Sequence, residues 1–355
     1  MNCCVNCFSD QGLKNRIVAI STFVGTCDFC ETKNVALVKC EELEADFDEL
    51  FALYTTSNKP SRSLENGQTY RLHEHMSAYW NKLFDLQVLK SKEIKLLLNQ
   101  IGQKGIFFSE EYLEKPVEFL ALVSDDDPTT DFGIRWESFS KEIKEKNRFF
   151  LSEKIDTDEL QSIFERLAIT YPVGQEFYRA RISDELLHVE ELGKPPQKSA
   201  TPGRANPVGI PYLYVSDTAK TTLYETRVAL HEGISIGKFV LTEPISLVSL
   251  KNIADFGPFE VMDRGFSLEE FIKFRPYLQR LESELSRPVR KQDVHLDYLP
   301  TQFLCEFIKS LGFHAVEYRS AMNFGGFNLA IFDDTRLNCI EATHHIVKSL
   351  EYDWD

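Results

Sequence analysis

Between residues 41 and 170 the apolar positions recur with the period of a helix. Phe47, Leu50, Phe51 and Tyr54 stand at i, i+3, i+4 and i+7, which lines them along one face. Met76, Tyr79, Trp80 and Leu83 repeat the spacing, as do Ile94, Leu97, Leu98 and Ile101. Asp156-Thr157-Asp158-Glu159 ahead of Leu160, Ile163, Phe164 and Leu167 predicts a capped helix start, because short oxygen-bearing side chains accept from the free first-turn amides. The acidic run Asp125-Asp126-Asp127-Pro128 breaks the pattern and predicts a solvated loop. These stripes are core positions rather than cofactor boxes.

After Tyr171-Pro172-Val173-Gly174 the texture changes. Strands are predicted near 176–182, 212–215, 238–241, 245–250, 315–318 and 328–332. A helix capped by Ser216 or Asp217 should run through Thr222, Leu223, Glu225 and Val228, and another should cover 303–311. Short strands and helices without regular βαβ alternation predict an α+β domain. The expected organisation is a small segment at 1–40, a helical domain at 41–170, an α+β domain at 171–335 and a tail at 336–355, with no internal repeat.

A chain of 355 residues exceeds one ordinary core, which agrees with several domains. Its hydrophobic fraction of 43% and charged fraction of 27% are those of a soluble protein. No apolar run approaches the roughly 20 residues that span a bilayer. The start Met1-Asn2-Cys3-Cys4 lacks the basic patch and apolar run of a secretory signal, so a cytoplasmic location without membrane association is expected. The net charge of −15 argues against a nucleic-acid partner, since binding a polyanion relies on basic surface.

Six of the eight cysteines lie in the first 40 residues, and clustering of this kind points to metal rather than disulfides. Cys4-Val5-Asn6-Cys7 and Cys27-Asp28-Phe29-Cys30 are two C-x-x-C knuckles with 19 residues between them. Four thiolates complete a tetrahedral Zn²⁺ site and leave no open position, so the metal should be structural. Cys3 neighbours the same knuckle and is an alternative to Cys4, and a redox pair is the competing reading. His73-Glu74-His75 places its histidines two apart, where side chains diverge on a helix, so packing or surface roles are expected. His344-His345 is read the same way.

The segment from Leu192 to Ser216 holds no Asp or Glu but contains Lys194, Lys198 and Arg204. An acid-free basic loop in an acidic protein can receive an anion, and Gly203 and Gly209 would let backbone amides approach phosphate oxygens. Around it stand Phe177-Tyr178-Arg179-Ala180-Arg181, Gly203-Arg204-Ala205-Asn206-Pro207-Val208-Gly209 followed by Ile210-Pro211-Tyr212-Leu213-Tyr214, Thr221-Thr222-Leu223-Tyr224-Glu225, and Glu317-Tyr318-Arg319-Ser320. In this order they resemble the RES domain, named for an arginine, a glutamate and a serine that match Arg179, Glu225 and Ser320. An aromatic residue often occupies the family position where Ala205 stands. The preceding helical region resembles the HEPN-like extension of longer RES proteins, without the Arg and His spacing of its ribonucleases.

The resemblance implies an ADP-ribosyltransferase-like fold and degradation of NAD by phosphorolysis or hydrolysis, as in toxins of toxin–antitoxin pairs. NAD is then the substrate, phosphate or water the acceptor, and an antitoxin a protein partner. Glu225 would favour the positive charge that develops on the ribose. Arg179 would grip the pyrophosphate, with Arg204 as a second clamp and Arg181 as rival for the family arginine. Tyr214 would stack on nicotinamide or position the ribose, and Ser320 would bond the ribose or orient the acceptor. Asn206, Gly203 and Gly209 complete the implied contacts. Two other readings remain: an ADP-ribosyltransferase that modifies a macromolecule, and a non-enzymatic zinc-containing interaction protein.

Overall fold

The computed structural model describes residues 1–64, 66–123, 129–152, 155–286 and 294–349, so Asp125-Asp126-Asp127-Pro128 lies outside the described residues. The chain divides into two compact units, residues 1–132 with 253–276, and residues 133–252 with 277–355. Neither boundary coincides with the breaks expected at 40 and 170.

The first unit begins β1 (Asn2–Cys4), α1 (Gln11–Ile20), β2 (Phe23–Gly25) and β3 (Val35–Lys39), the strands forming a sheet in the order β1-β3-β2. It continues with α2 (Glu44–Phe51), β4 (Tyr54–Thr56), α3 (Leu72–Tyr79), α4 (Ser91–Gly102), α5 (Glu111–Glu114), β5 (Val117–Phe119) and α6 (Leu120–Val123). The four apolar residues predicted for α4 are all buried. On α2 the stripe stops at Phe51, and Tyr54 instead opens β4, where it pairs with Phe119. The β-branched pair Thr55-Thr56 favours an extended backbone there, and Tyr54 keeps its apolar burial. The region expected to be all-helical therefore contains a two-stranded ribbon. His73 and His75 are both buried, and His75 packs under that ribbon with Nε2 2.8 Å from Ser63 Oγ and 3.4 Å from the Glu118 carboxylate.

The second unit takes α7 (Thr129–Glu145), β6 (Ala168–Tyr171) and, between them, α8 (Thr157–Arg166), whose Asp156 cap accepts from the amides of Asp158 and Glu159 as the sequence predicts. Then come β7 (Glu176–Ile182), β8 (Leu213–Ser216), α9 (Ala219–Thr226), β9 (Gly233–Leu241) and β10 (Ile245–Ser249). The chain passes through α10 (Pro258–Asp263) of the first unit and along α11 (Leu268–Ser286). It finishes with α12 (Val294–Asp297), α13 (Leu299–Ser310), β11 (Ala315–Arg319), β12 (Phe327–Ile331) and β13 (Leu337–Ile346).

Eight of these strands make one sheet in the order β13-β9-β7-β8-β12-β11-β10-β6, antiparallel except for the pair β10 and β11. Both edges come from outside the expected span 171–335: β6 precedes it, and β13 occupies what was expected to be a tail. One face buries Phe177, Leu213, Val215, Phe239, Leu247, Leu329 and Ile331 in a common apolar cluster. Alternation along β8 and β12 explains it, since residues two apart share a face. Glu317 is the exception within β11, wholly buried and satisfied by the hydroxyls of Tyr171 and Ser249 at 2.5 Å each and by Lys251 at 3.0 Å.

The sheet is uneven where it matters. β7 pairs with β9 along its whole length, yet meets β8 at a single register pair, Tyr178 with Ser216. Among the described residues no helix is long and apolar enough to cross a membrane.

Leu329 is fully buried in the centre of the sheet. Leu329→Ala is expected to cost about 2–5 kcal/mol of stability, read as a lower midpoint in urea with an unchanged slope.

Candidate functional site

The part of the sheet beyond the Tyr178–Ser216 pair is where the polar side chains gather. With no strand on that side, the amide of Ala180 donates to Thr222 Oγ1 at 3.0 Å, which draws α9 against β7. Thr218 caps the start of α9 by accepting from the Thr221 amide, and Arg227 ends it in the left-handed conformation at φ 51°. Glu225 thus sits in the last turn, three residues after the Thr222 that touches β7.

Glu225 Oε1 accepts two hydrogen bonds, from Ser320 Oγ at 2.6 Å and from Asn328 Nδ2 at 2.8 Å. Among the described residues its Oε2 accepts none and no cation pairs with it. Ser320 opens the turn that joins β11 to β12, and its hydroxyl oxygen also accepts from the amides of Met322 and Asn323 at 3.1 and 3.0 Å. Asn323 Nδ2 in turn donates to Thr221 Oγ1 at 2.9 Å. A side chain at Gly326 would put its Cβ 2.5 Å from that same oxygen, so the turn lies on α9 as closely as a glycine permits. The structure therefore brings Glu225 and Ser320 together across 95 residues of sequence.

Arg179 stands on β7 beside the Ala180 that bonds α9. Its Nη1 is buried and has no hydrogen-bond partner. Burial holds the guanidinium down to about 10, and neighbouring Arg181 acts in the same direction, against weaker opposite pulls from Tyr214 and Asp334. Arg181 is already committed, with Nη2 donating to the Gly193 carbonyl at 3.1 Å. The two rivals for the family arginine differ in this respect. No hydrogen bond or ion pair joins Arg179 to Glu225 among the described residues; they approach through the strand and helix that carry them.

The glycine-rich loop is held by its own hydrogen bonds. The Gly203 amide donates to the Asn206 carbonyl at 2.9 Å, and the Gly209 amide to the Ala200 carbonyl at 3.2 Å. Asn206 is buried and its Nδ2 lies 3.0–3.1 Å from the carbonyl oxygens of Thr201, Pro207 and Ile210. Tyr214 donates to Asn206 Oδ1 at 2.7 Å and accepts from the Ala205 amide at 3.1 Å. Burial pushes its hydroxyl well above the usual range, which keeps it a neutral donor. A Cβ on Gly203 would come within 2.6 Å of the Tyr214 hydroxyl, so this glycine serves close packing. Gly209, at φ +78°, serves a backbone turn. Arg204 donates through Nη1 to the Leu285 carbonyl at the end of α11, and its own carbonyl accepts from Thr301 Oγ1 at 2.6 Å. This contact anchors the Arg204 side chain to the end of α11. Lys194 is paired with Asp334 at 2.5 Å.

Two cavities of this unit flank the cluster. One of about 520 Å³ is lined by Gln175, Glu176, Tyr178, Asp217 and Thr218, and one of about 540 Å³ by Lys194, Pro196, Gly209, Pro211 and Asp334. Both volumes suit a small molecule. Neither is lined by Arg179, Glu225 or Ser320.

Sequence reasoning missed Asn328, Thr222 and Asn323. The signal for Asn328 was present: it is the polar residue inside the apolar strand Phe327–Ile331.

In the first unit the Sγ atoms of Cys4, Cys7, Cys27 and Cys30 all lie within 4.8 Å of one another. Cys4 and Cys30 are 3.5 Å apart and Cys7 and Cys27 3.4 Å. Four sulfurs at about 2.3 Å from one tetrahedral ion would be roughly 3.8 Å apart, so the donor set fits a metal. Cys3 is buried outside that group of four.

The sequence profile of the RES domain matches residues 176–355. No curated protein matches significantly. Among solved structures, the chain is similar to one from the M. tuberculosis MbcT–MbcA toxin–antitoxin complex. Identity is 13%, with 55% of this chain and 93% of that one covered, and the TM-score is 0.33.

A buried guanidinium without a partner weakens the fold, because desolvation disfavours its charge without return. Arg179→Met should therefore raise stability, by about 1 kcal/mol, and pyrophosphate should raise the melting temperature of the parent but not of the variant. A lower melting temperature for the variant would show that the cation has a stabilising partner.

Proposed function

Because the chain belongs to the RES domain family, we propose that residues 176–355 bind NAD and release nicotinamide by displacement at the ribose carbon that carries it. The observation that carries this reading is the state of Glu225. Oε1 is fixed by Ser320 and Asn328 while Oε2 accepts nothing among the described residues, beside a strand that bears a guanidinium whose buried Nη1 has no partner.

The chemistry asks for both features. As the bond to nicotinamide stretches, its electron pair goes to the ring nitrogen, which becomes neutral, and positive charge grows on the ribose. A carboxylate held still near that carbon stabilises the charge without having to reorganise. Oε2 is the atom available to a ribose hydroxyl. Arg179 offers Nη1 to a pyrophosphate oxygen, an anion that supplies the partner this nitrogen lacks. Ser320 acts on Glu225 rather than on substrate, and Tyr214, Asn206, Gly203, Gly209 and Arg204 hold the loop behind the site. Phosphate or water then forms the new bond to carbon, giving ADP-ribose-1″-phosphate or ADP-ribose. Uncontrolled turnover drains a cell of NAD, which fits a toxin kept in check by a protein partner.

The four cysteines are assigned to a structural zinc ion, held by Cys4, Cys7, Cys27 and Cys30. Zinc there ties the β1 end of the chain to the turn that follows β2, and supplies folding energy to the first unit alone.

Incubation of the purified protein with NAD, with and without phosphate, should release nicotinamide, and the mass of the second product separates phosphorolysis from hydrolysis. Glu225→Gln should lower kcat at least about 100-fold. Intact NAD under both conditions would remove the proposal, and ADP-ribose found attached to a macromolecule would redirect it to a transferase. Metal analysis should find about one zinc per chain, and Cys7→Ser should lose it with a lower melting temperature.

A further inference from the structure

We propose that Asn328 and Ser216 are positioning residues for the Glu225 carboxylate, forming a relay that sets which of its oxygens meets the substrate. The inference rests on the reading of Glu225 given above.

Asn328 is only 6% exposed and Ser216 only 3%, on strands whose neighbouring positions Leu213, Val215, Leu329 and Ile331 are buried and apolar. A buried amide costs free energy unless its donors and acceptor are met, so this polar pair needs a reason to be there. The two residues face each other across β8 and β12 as register partners. Ser216 Oγ lies 2.7 Å from Asn328 Oδ1, and Asn328 Nδ2 lies 2.8 Å from Glu225 Oε1. Only one orientation of the amide suits both ends. Reversing it would set the amide oxygen against the carboxylate, two acceptors in contact. The carboxylate, which only accepts, thus selects the orientation in which Asn328 donates, and Ser216 holds that orientation by donating to the amide oxygen.

The carboxylate has need of such donors. It lies in the last turn of α9, where the unpaired carbonyls give the helix its negative end and disfavour an anion. Among the described residues no cation pairs with it. Two neutral donors, Ser320 and Asn328, converge on Oε1 from different strands' ends. A single donor would leave the carboxylate free to rotate about that contact. Two on one oxygen fix the plane and leave Oε2 facing away from them. The placement of Ser320 is itself set by its turn, through Met322 and Asn323. The placement of Asn328 is set by the strand and by Ser216.

The test uses the full chain, with NAD as probe and nicotinamide release as readout. Asn328→Ala is expected to lower kcat about tenfold or more while KM for NAD stays within about threefold, as for a residue that acts in the reaction rather than in binding. Asn328→Asp keeps the shape but replaces the donor with an acceptor, so it should be slower than the alanine variant. Ser216→Ala should lower kcat about threefold, and Ser216→Thr, which keeps the hydroxyl, should restore it. In a Glu225→Gln background, Asn328→Ala should add no further loss to the residual rate, because the path through the carboxylate is already cut. Equal losses in both backgrounds would mean that Asn328 serves only the sheet, and that overturns the inference. So would an Asn328→Ala variant with the parent's kcat. If the Asn328 variants fail to fold by thermal melting, the Ser216 pair decides, and loss of kcat that threonine does not restore counts against the relay. A parent that leaves NAD intact removes the functional reading and this inference with it. A parent that turns over, with Glu225→Gln inactive and Asn328→Ala unaffected, removes this inference alone.

Discussion

The arrangement of the second unit depends on the place where β7 stops pairing with β8. A strand that is fully paired on one edge and touches its other neighbour once leaves backbone groups to be satisfied by something else. Thr222 supplies one such partner through its hydroxyl, and with it α9 is tied to the strand that carries Arg179. Had β7 and β8 zipped completely, the Ala180 amide would face a strand and α9 would have no polar reason to lie there. The separation also leaves the Arg179 guanidinium in a space that the apolar cluster does not fill. Glu225 then follows from helix geometry, since three residues after Thr222 is nearly one turn and returns to the same side. The opening in the sheet is thus both a defect in pairing and the source of the site.

The glycine-rich loop is held together by its own hydrogen bonds. Its lack of acids and its glycines at 203 and 209 are what an anion cradle needs, yet the Gly203 and Gly209 amides are spent inside the loop. The loop folds around Asn206, whose amide meets three carbonyls, and Tyr214 pins it to β8. Arg204 and Thr301 fasten it to α11 and α13. Rigidity of this kind matters to a reaction centre even where no atom of the loop touches substrate, because a site held on packed elements keeps its geometry. Ala205 fits the same account, since it is wholly buried and a larger residue would need room there.

How much was legible can be argued residue by residue. The helix at Ile94 to Ile101 and the Asp156 cap were readable because their determinants are local, a 3.6-residue period and a side chain three positions from the amide it accepts. The four-cysteine cluster was readable because ligand spacing within each knuckle is local, even though the knuckles meet across 19 residues of chain. Glu225, Ser320 and Arg179 came from resemblance rather than from any local rule, and nothing near Arg179 distinguished it from Arg181. That distinction lives in tertiary structure, where one guanidinium meets the Gly193 carbonyl and the other meets nothing. The unit boundaries were illegible for a similar reason. Residues 253–276 are a helical excursion whose partners in the first unit lie more than 170 positions earlier, as when Asp10 caps both α1 and α10 by accepting from Leu13 and Phe259.

Two half-buried groups remain whose states oppose good folding, and they oppose it in opposite ways. Arg179 has a charge and no partner, whereas Glu225 has donors on one oxygen and none on the other. A fold selected for stability alone would pair them or exchange them for apolar residues, as buried ion pairs can be exchanged. The elements that bear them are in contact through Ala180 and Thr222, and Ser320 and Asn328 hold the carboxylate. Strain of this sort is informative when the surroundings over-determine it. Here Ser320, Asn328, Thr222 and Ser216 together do so, each satisfied in turn by its own neighbours. Cation and anion kept apart by a satisfied frame are what a dinucleotide needs, with negative charge at its pyrophosphate and positive charge appearing at its ribose. The separation itself, more than either residue, is the feature that supports the proposed dinucleotide substrate.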